Sequence, residues 1–357
     1  MKSPRRLAFA ALLVLGLTLP ASAHVKWFTQ WTFADPPRAL GEILSPLFLG
    51  LLALTIAALS IGVILDKRLS QNSIYRQVVV WFDSRREYAP LVLRIGLGMT
   101  LMLAWAGDRL LSPDLALSSP IVGWVQFALA LLLIFPRTTP LAGLGTLVLY
   151  VLGIAEHGAF YMLDYFIFVG VAVYLAVYAS KNVSISSLRI PALYFSVGFS
   201  LFWVAIEKII YPQWGLGVLA ANPALTMGLD PAFFLLSAAF VELALGYLLI
   251  IGLLDRPLAV VITLVFFTTT LIFGKTEVIG HTIIHAALIV FLLEGTIRGV
   301  YPAPINIHRS LSWRLAFTAV NFILLLAILI VPYQLMSQAA FSDSLAYIRP
   351  LLVALIP

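Results

Sequence analysis

Long apolar stretches are the feature of this chain that most limits what it can fold into. Ten of them recur along the 357 residues, and each is close to the ~20 residues that a helix needs to cross a bilayer. They occupy residues 43–65, 89–107, 120–135, 140–160, 161–180, 191–210, 233–253, 257–274, 279–295 and 312–333. Because lipid leaves only helices and closed barrels with satisfied backbone groups, the pattern predicts an all-α, polytopic transmembrane bundle of about ten helices.

Composition supports a membrane protein and excludes several other classes. Charged residues make up 11% of the chain, against about 25% in soluble domains, and the mean hydropathy is +1.03. The chain has no cysteine, which excludes disulfides, thiolate metal sites, iron–sulfur clusters and a lipoprotein anchor. The net charge of +6 fits the lysines and arginines that orient membrane proteins. We therefore expect the lipid bilayer as a partner and no nucleic acid.

The first 23 residues have the layout of a secretory signal. A basic start precedes an apolar run, and Ala21-Ser22-Ala23 forms a cleavage site of the A-x-A type. Cleavage after Ala23 would place a new N-terminal His24 on the periplasmic side of a bacterial inner membrane. Alternating from there, twelve Lys and Arg fall on the cytoplasmic side and six on the periplasmic side, which agrees with the positive-inside rule.

The chain also contains an internal duplication. Residues 93–113 and 193–212 are both apolar helices with a small-residue start, and each ends in an acid–base pair followed closely by proline. Related residues occupy corresponding positions: Asp108-Arg109 with Glu207-Lys208, Gln126 with Glu242, Pro140 with Pro257, and Asp164 with His281. This correspondence predicts two tandem four-helix repeats in the same orientation.

These features divide the chain into five segments. A cleaved signal peptide, 1–23, precedes a periplasmic segment, the first transmembrane helix and a cytoplasmic linker, which together span 24–88. Repeat 1 covers 89–182 and repeat 2 covers 183–296. The remainder, 297–357, comprises a cytoplasmic loop, the last transmembrane helix and a periplasmic tail.

The repeated unit resembles the DoxX-like family of membrane proteins. The resemblance lies in the small-residue first helix, the acid–base pair at its outer end and the proline just after it, and here it occurs twice over about 89–296. It implies a small helical bundle associated with quinone-linked redox or sulfur metabolism in bacterial envelopes, with quinone as a cofactor or partner.

Histidines and carboxylates supply the main candidate site. Glu277, His281 and His285 follow one another at intervals of four, which places them along one stripe of a helix. Two histidines at i and i+4 can bind one metal ion from one helix face. In repeat 1 the equivalent region carries His157 and Asp164. The alternative is that these histidines only form hydrogen bonds to neighbouring helices.

A mature N-terminal His24 would add two nitrogens from one residue, its amine and its ring. The segment before the first helix is long enough, at ~3.3 Å per residue, to bring His24 back onto the bundle. Its aromatic neighbours in 25–33 are expected to anchor it at the membrane interface. His308 falls in the predicted cytoplasmic loop and is left out of the site. The candidate metal ligands are His24, His281, His285, Glu277, His157 and Asp164.

A nitrogen-rich ligand set without sulfur suits copper before zinc or iron. The amine-plus-ring chelate also resembles the histidine brace of copper oxygenases and periplasmic copper-binding proteins. The first hypothesis is therefore a copper-dependent membrane oxidoreductase that exchanges electrons with quinol or an envelope substrate.

Two other functions stay open on the sequence. A transporter of metal or small solutes would use intramembrane ionisable groups, and the proton or ion-pair candidates are Glu207, Lys208, Glu242 and Asp108. The preferred interpretation of the acid–base pairs is that they are interfacial ion pairs that end their helices. Glu242 needs a partner, and Lys208 is a candidate for it. A scaffold would dock a soluble periplasmic protein through the Gly/Pro-rich loop 211–232.

Overall fold

A computed structural model describes residues 24–295 and 310–355, and this part of the chain is helical, with one isolated β-bridge and no β-strand. The predicted signal peptide and His308 lie outside the described residues. The longer helices are α1 (Pro46–Gln71), α2 (Ser73–Asp83), α3 (Ala89–Ala106), α4 (Pro120–Leu132), α5 (Thr139–His157), α6 (Ile167–Val177), α7 (Arg189–Ile210), α8 (Pro212–Ala221), α9 (Pro231–Ile250), α10 (Asp255–Phe273), α11 (Lys275–Glu294) and α12 (Leu311–Leu355).

Polar caps, prolines and glycines set where several helices begin and end. The side chains of Ser45, Ser119 and Asp230 accept a backbone N–H at the start of α1, α4 and α9, and proline opens each of these helices. Gly158 and Gly274 have φ angles of 86° and 64° and end α5 and α10. Glycine is favoured at both places because a Cβ is strained at positive φ.

Eight helices in the described part of the chain are long and apolar enough to cross a membrane, or nine if one bent pair counts as a span. The prediction of about ten is therefore too high. The 13 residues of α4 rise only about 20 Å, which is short of the ~30 Å hydrocarbon core. The predicted span 161–180 is broken, because the chain bends by 63° between Ala159–Tyr165 and α6. The architecture remains that of a multi-pass helical membrane protein.

Eight helices pack side by side in a closed order. The sequence of neighbours is α3, α4, α5, α6, α7, α9, α10 and α11, after which α11 returns to α3. Helix α1 packs against α9 and α12, and α12 also contacts α7. Close approach depends on small residues, as is common between membrane helices. A Cβ on Gly198 of α7 would lie 2.7 Å from the carbonyl oxygen of Gly246 on α9.

The N-terminal segment, residues 24–45, lies on the end of the bundle where α7 finishes and α9 and α11 begin, which we call the N-terminal end. It starts with a 3-10 turn at Val25–Trp27, in which Val25 and Lys26 are buried. Segment 211–232, which the sequence predicts to be a loop, is instead largely helical. Its helix α8 packs against this turn. Trp214 of α8 donates a hydrogen bond of 2.7 Å to Asp35 Oδ2.

Candidate functional site

A cavity of about 50 Å³ lies beneath the N-terminal segment. His24 lines it from the segment itself, Asp164 from the broken helix before α6, Glu242 from α9 and His281 from α11. Apolar side chains from α6, α7, α10 and α11 form much of the remaining wall. Residues far apart in the sequence therefore meet around one small space, and three of the predicted ligands, His24, Asp164 and His281, are among them.

The His24 ring is held between aromatic neighbours. It stacks on Trp27 and on Tyr165, with ring centroids 4.5 and 5.2 Å away. Its Nδ1 atom is buried and has no hydrogen-bond partner in the described structure. Burial lowers the pKa of the His24 ring well below its usual range, and the nearby positive groups lower it further. The ring is therefore neutral and has a free nitrogen.

His281 is oriented by the acid one turn before it. Glu277 lies in the first turn of α11, and its Oε2 contacts Nδ1 of His281. Both side chains are buried, and the Trp27 ring lies 5.2 Å from that of His281. A carboxylate on one ring nitrogen fixes the orientation of a histidine and directs the other nitrogen outward.

His285 and His157 do not join this cavity. His285 follows His281 along α11 but packs against Phe267, with ring centroids 5.0 Å apart. His157 ends α5, and its Nε2 lies 3.9 Å from Glu156. Gly158 ends α5 directly after His157, so His157 and Asp164 do not lie on one continuous helix. Within the described residues, no three His, Asp or Glu side chains are arranged to hold a metal ion.

Lys26, which the sequence places at the membrane interface, is buried instead. Its Nζ lies 2.7 Å from Asp164 Oδ2 and 2.5 Å from Glu207 Oε2. The ring centroids of Trp31 and Tyr161 lie 5.2 and 4.7 Å from the same nitrogen. Burial alone would lower the pKa of Lys26, but the two carboxylates outweigh burial and raise it. Asp164 is thus engaged by an ammonium group.

The acid–base pairs at the helix ends behave differently from the interfacial ion pairs expected for them. Glu207 and Lys208 are 0% and 1% exposed and do not pair with each other, because adjacent helical residues face different directions. Lys208 Nζ lies 2.6 Å from Glu242 Oε2, which confirms the predicted partner. Asp108 is exposed in the turn after α3 and forms no ion pair with Arg109 in the part of the chain described.

Two important residues were missed by sequence reasoning. Asp114 accepts a hydrogen bond of 2.5 Å from Tyr165, whose hydroxyl in turn accepts one of 3.1 Å from Trp27 Nε1. Asp114 carries no repeat or spacing signal. Lys26 could have been found from the sequence, because it is a single lysine within the apolar and aromatic run Val25–Phe28. Such a lysine needs a charged partner when the run is buried.

Known proteins give no further guide to this site. Comparisons of the chain with family models, with curated proteins and with solved structures found no match in any of the three.

Proposed function

We propose that this protein is a membrane-embedded, metal-dependent redox protein, with copper bound between the mature N-terminus and α11. The observation that carries the proposal is that His24 and His281 line the same cavity and that both of their rings contact Trp27. Ionisable groups are costly at this depth in a membrane protein and are usually functional.

Three nitrogens become available at this place if the signal peptide is removed after Ala23. The new amine and Nδ1 belong to His24, and Nε2 belongs to His281. Two residues alone would supply this set, since no three His, Asp or Glu side chains are grouped to hold a metal ion among the described residues. Such nitrogen ligation without sulfur favours copper over zinc or iron, and bound copper supplies one-electron redox chemistry.

The protein's own residues prepare this ligand set. The neutral His24 ring does not need to lose a proton before it binds a cation, and metal binding requires the unprotonated imidazole. Glu277 contacts Nδ1 of His281 and so fixes the orientation of its ring. Trp27 contacts both rings and donates a hydrogen bond to the hydroxyl of Tyr165.

The size of the cavity limits how a quinone would take part. An apolar cavity of ~150 Å³ holds benzene, whereas this one measures about 50 Å³. A quinone ring therefore does not fit between the two histidines without movement of side chains. In the DoxX-like reading, quinol would deliver its electrons from outside the cavity.

We also propose how the helices are grouped into repeats and how the protein is oriented in the membrane. Two four-helix units in one orientation are supported by the closed helix order, in which the last helix of each unit packs on the first helix of the other. The signal sequence and the charge bias support an inner-membrane location with the N-terminal end in the periplasm.

Copper analysis of the purified protein tests the site. With the mature N-terminus confirmed by mass spectrometry, we expect about one copper per chain, lost from both His281→Ala and His24→Ala. His285→Ala is the matched control, because His285 lies on the same helix outside the cavity, and it should keep its copper. Equal copper content in the wild type and His281→Ala would overturn the site.

A transporter is the second candidate, favoured by the buried lysines and carboxylates beside the cavity. It predicts cation flux in proteoliposomes that depends on Glu207 or Glu242. The scaffold reading has less support, since much of segment 211–232 is packed on the N-terminal segment through α8.

A further inference from the structure

Five ionisable side chains meet at the N-terminal end of the bundle, and their charges do not balance. Lys26, Asp164, Glu207, Lys208 and Glu242 are each at most 5% exposed. We call them the acid–base cluster. It contains three carboxyl groups and two ammonium groups, so full ionisation would leave one negative charge buried. An isolated buried charge is expensive, and such groups bind a proton instead.

The distances show which carboxyl groups of the cluster carry the unbalanced negative charge. Lys208 has one carboxylate partner, Glu242, at 2.6 Å. Lys26 has two partners, Asp164 at 2.7 Å and Glu207 at 2.5 Å. Two carboxyl groups that share one buried ammonium repel each other when both are ionised, and such pairs hold a common proton.

Neighbouring elements do not supply the missing positive charge. Besides the other members of the cluster, Asp164 and Glu207 face the carboxyl group of Asp114 and the phenols of Tyr150, Tyr161, Tyr165, Tyr211 and Tyr333. Asp114 adds negative charge, and His24, which faces the two lysines, is neutral. A phenol is neutral near pH 7. Moreover, Asp164 Oδ1 and Glu207 Oε1 are buried and have no hydrogen-bond partner in the described structure, so an acceptor for a proton or a water is present on each.

The cavity provides a route for exchange. Asp164 and Glu242 both line it, and Glu242 Oε1 is also buried without a partner. A water needs about 10–15 Å³ of such space and two or more polar partners, so about 50 Å³ has room for a few waters. A proton that leaves Asp164, the member of the carboxyl pair that lines the cavity, would pass to water there.

We propose that Asp164 and Glu207, bridged by Lys26, form a proton-binding site that holds one exchangeable proton and opens to a hydrated cavity. The site does not require copper. It gives the bundle a place to store a proton next to the cavity, whichever redox or transport reaction occurs there.

Infrared spectroscopy of the metal-free, detergent-purified protein tests this site. The wild type should show the C=O stretch of a buried protonated carboxyl at neutral pH, and the band should disappear at alkaline pH. In Glu207→Gln the repulsion is removed, so Asp164 stays ionised beside Lys26 and we expect the band to be lost. Asp164→Asn should have the same effect and serves if the first variant does not fold.

Glu294→Gln is the matched control. Glu294 is a buried carboxylate at the other end of the bundle, 3.1 Å from its own partner Arg189, so its replacement should leave the band unchanged. Absence of the band in the wild type, or its persistence in both cluster variants, would overturn the proposal. Because no metal is present, this result is independent of the copper measurement.

Discussion

The side chain of Lys26 joins the N-terminal segment to the helices of the bundle. Its ammonium group is buried between two carboxylates, and aromatic rings surround it. A buried ion pair adds little net stability when both partners are present, but removing one partner is costly because the other charge stays buried. Its position two residues after His24 means that the same contact also positions the N-terminus.

Lys26→Met is therefore expected to destabilise the folded protein. Breaking a buried pair costs roughly 3–5 kcal/mol, which thermal unfolding in detergent should report as a clear fall in the midpoint. Lys181→Met, at an exposed lysine, should change stability by less than about 0.5 kcal/mol. The double variant Lys26→Met, Asp164→Asn should recover part of the loss. A Lys26 variant as stable as the control would show that the pairing contributes nothing.

At the scale of elements, the N-terminal segment and α11 fit together at a glycine. A methyl group at Gly280 would overlap the Trp27 ring, which itself contacts His24 and His281. Glycine is thus needed at this point of α11 because a neighbouring side chain approaches the helix backbone closely. The 3-10 turn Val25–Trp27 can pack here only while position 280 has no side chain.

Gly280→Ala is expected to loosen the N-terminal segment. Overpacking costs about 1–3 kcal/mol, so the open population should rise roughly 5- to 150-fold, and limited trypsin cleavage after the buried Lys26 should accelerate in proportion. Gly41→Ala is the control, since nothing lies within 4 Å of a Cβ at that position. Identical cleavage rates in the two variants would contradict the tight fit at Gly280.

At the scale of the whole molecule, the two ends of the bundle differ in chemistry. The N-terminal end carries the cavity, His24, His281 and the acid–base cluster. The opposite end carries α2, whose side chains are unburied, and Arg256, which pairs with Asp83 at 2.5 Å. The predicted orientation would place the first end in the periplasm and the second in the cytoplasm.

Cysteine labelling tests this orientation directly, because the chain has no cysteine of its own. Ala224 and Ser84 are exposed at the N-terminal and the opposite end, respectively. In intact cells with a permeable outer membrane, a membrane-impermeant maleimide should label Ala224→Cys at least about tenfold more than Ser84→Cys, since the bilayer shields the inner side. Both should react after the cells are lysed. The reverse pattern would show that the orientation is inverted.

The sequence by itself determined the helical membrane class, the position of most helices and the one-turn spacing of Glu277 and His281. These follow from local physics, because hydropathy and helical periodicity depend on residues close together in the chain. It overestimated the number of spans where the element was short, as in α4, or broken, as before α6.

Only the tertiary structure decided the partners of Lys26. Lys26 and Asp164 are separated by 138 positions, and no periodicity relates them. It also separated His285 and His157 from the cavity and brought His24 to His281. Such choices depend on how the helices pack and on the high cost of leaving a charge unpaired in a buried place, and these are properties of the assembled bundle rather than of any one segment.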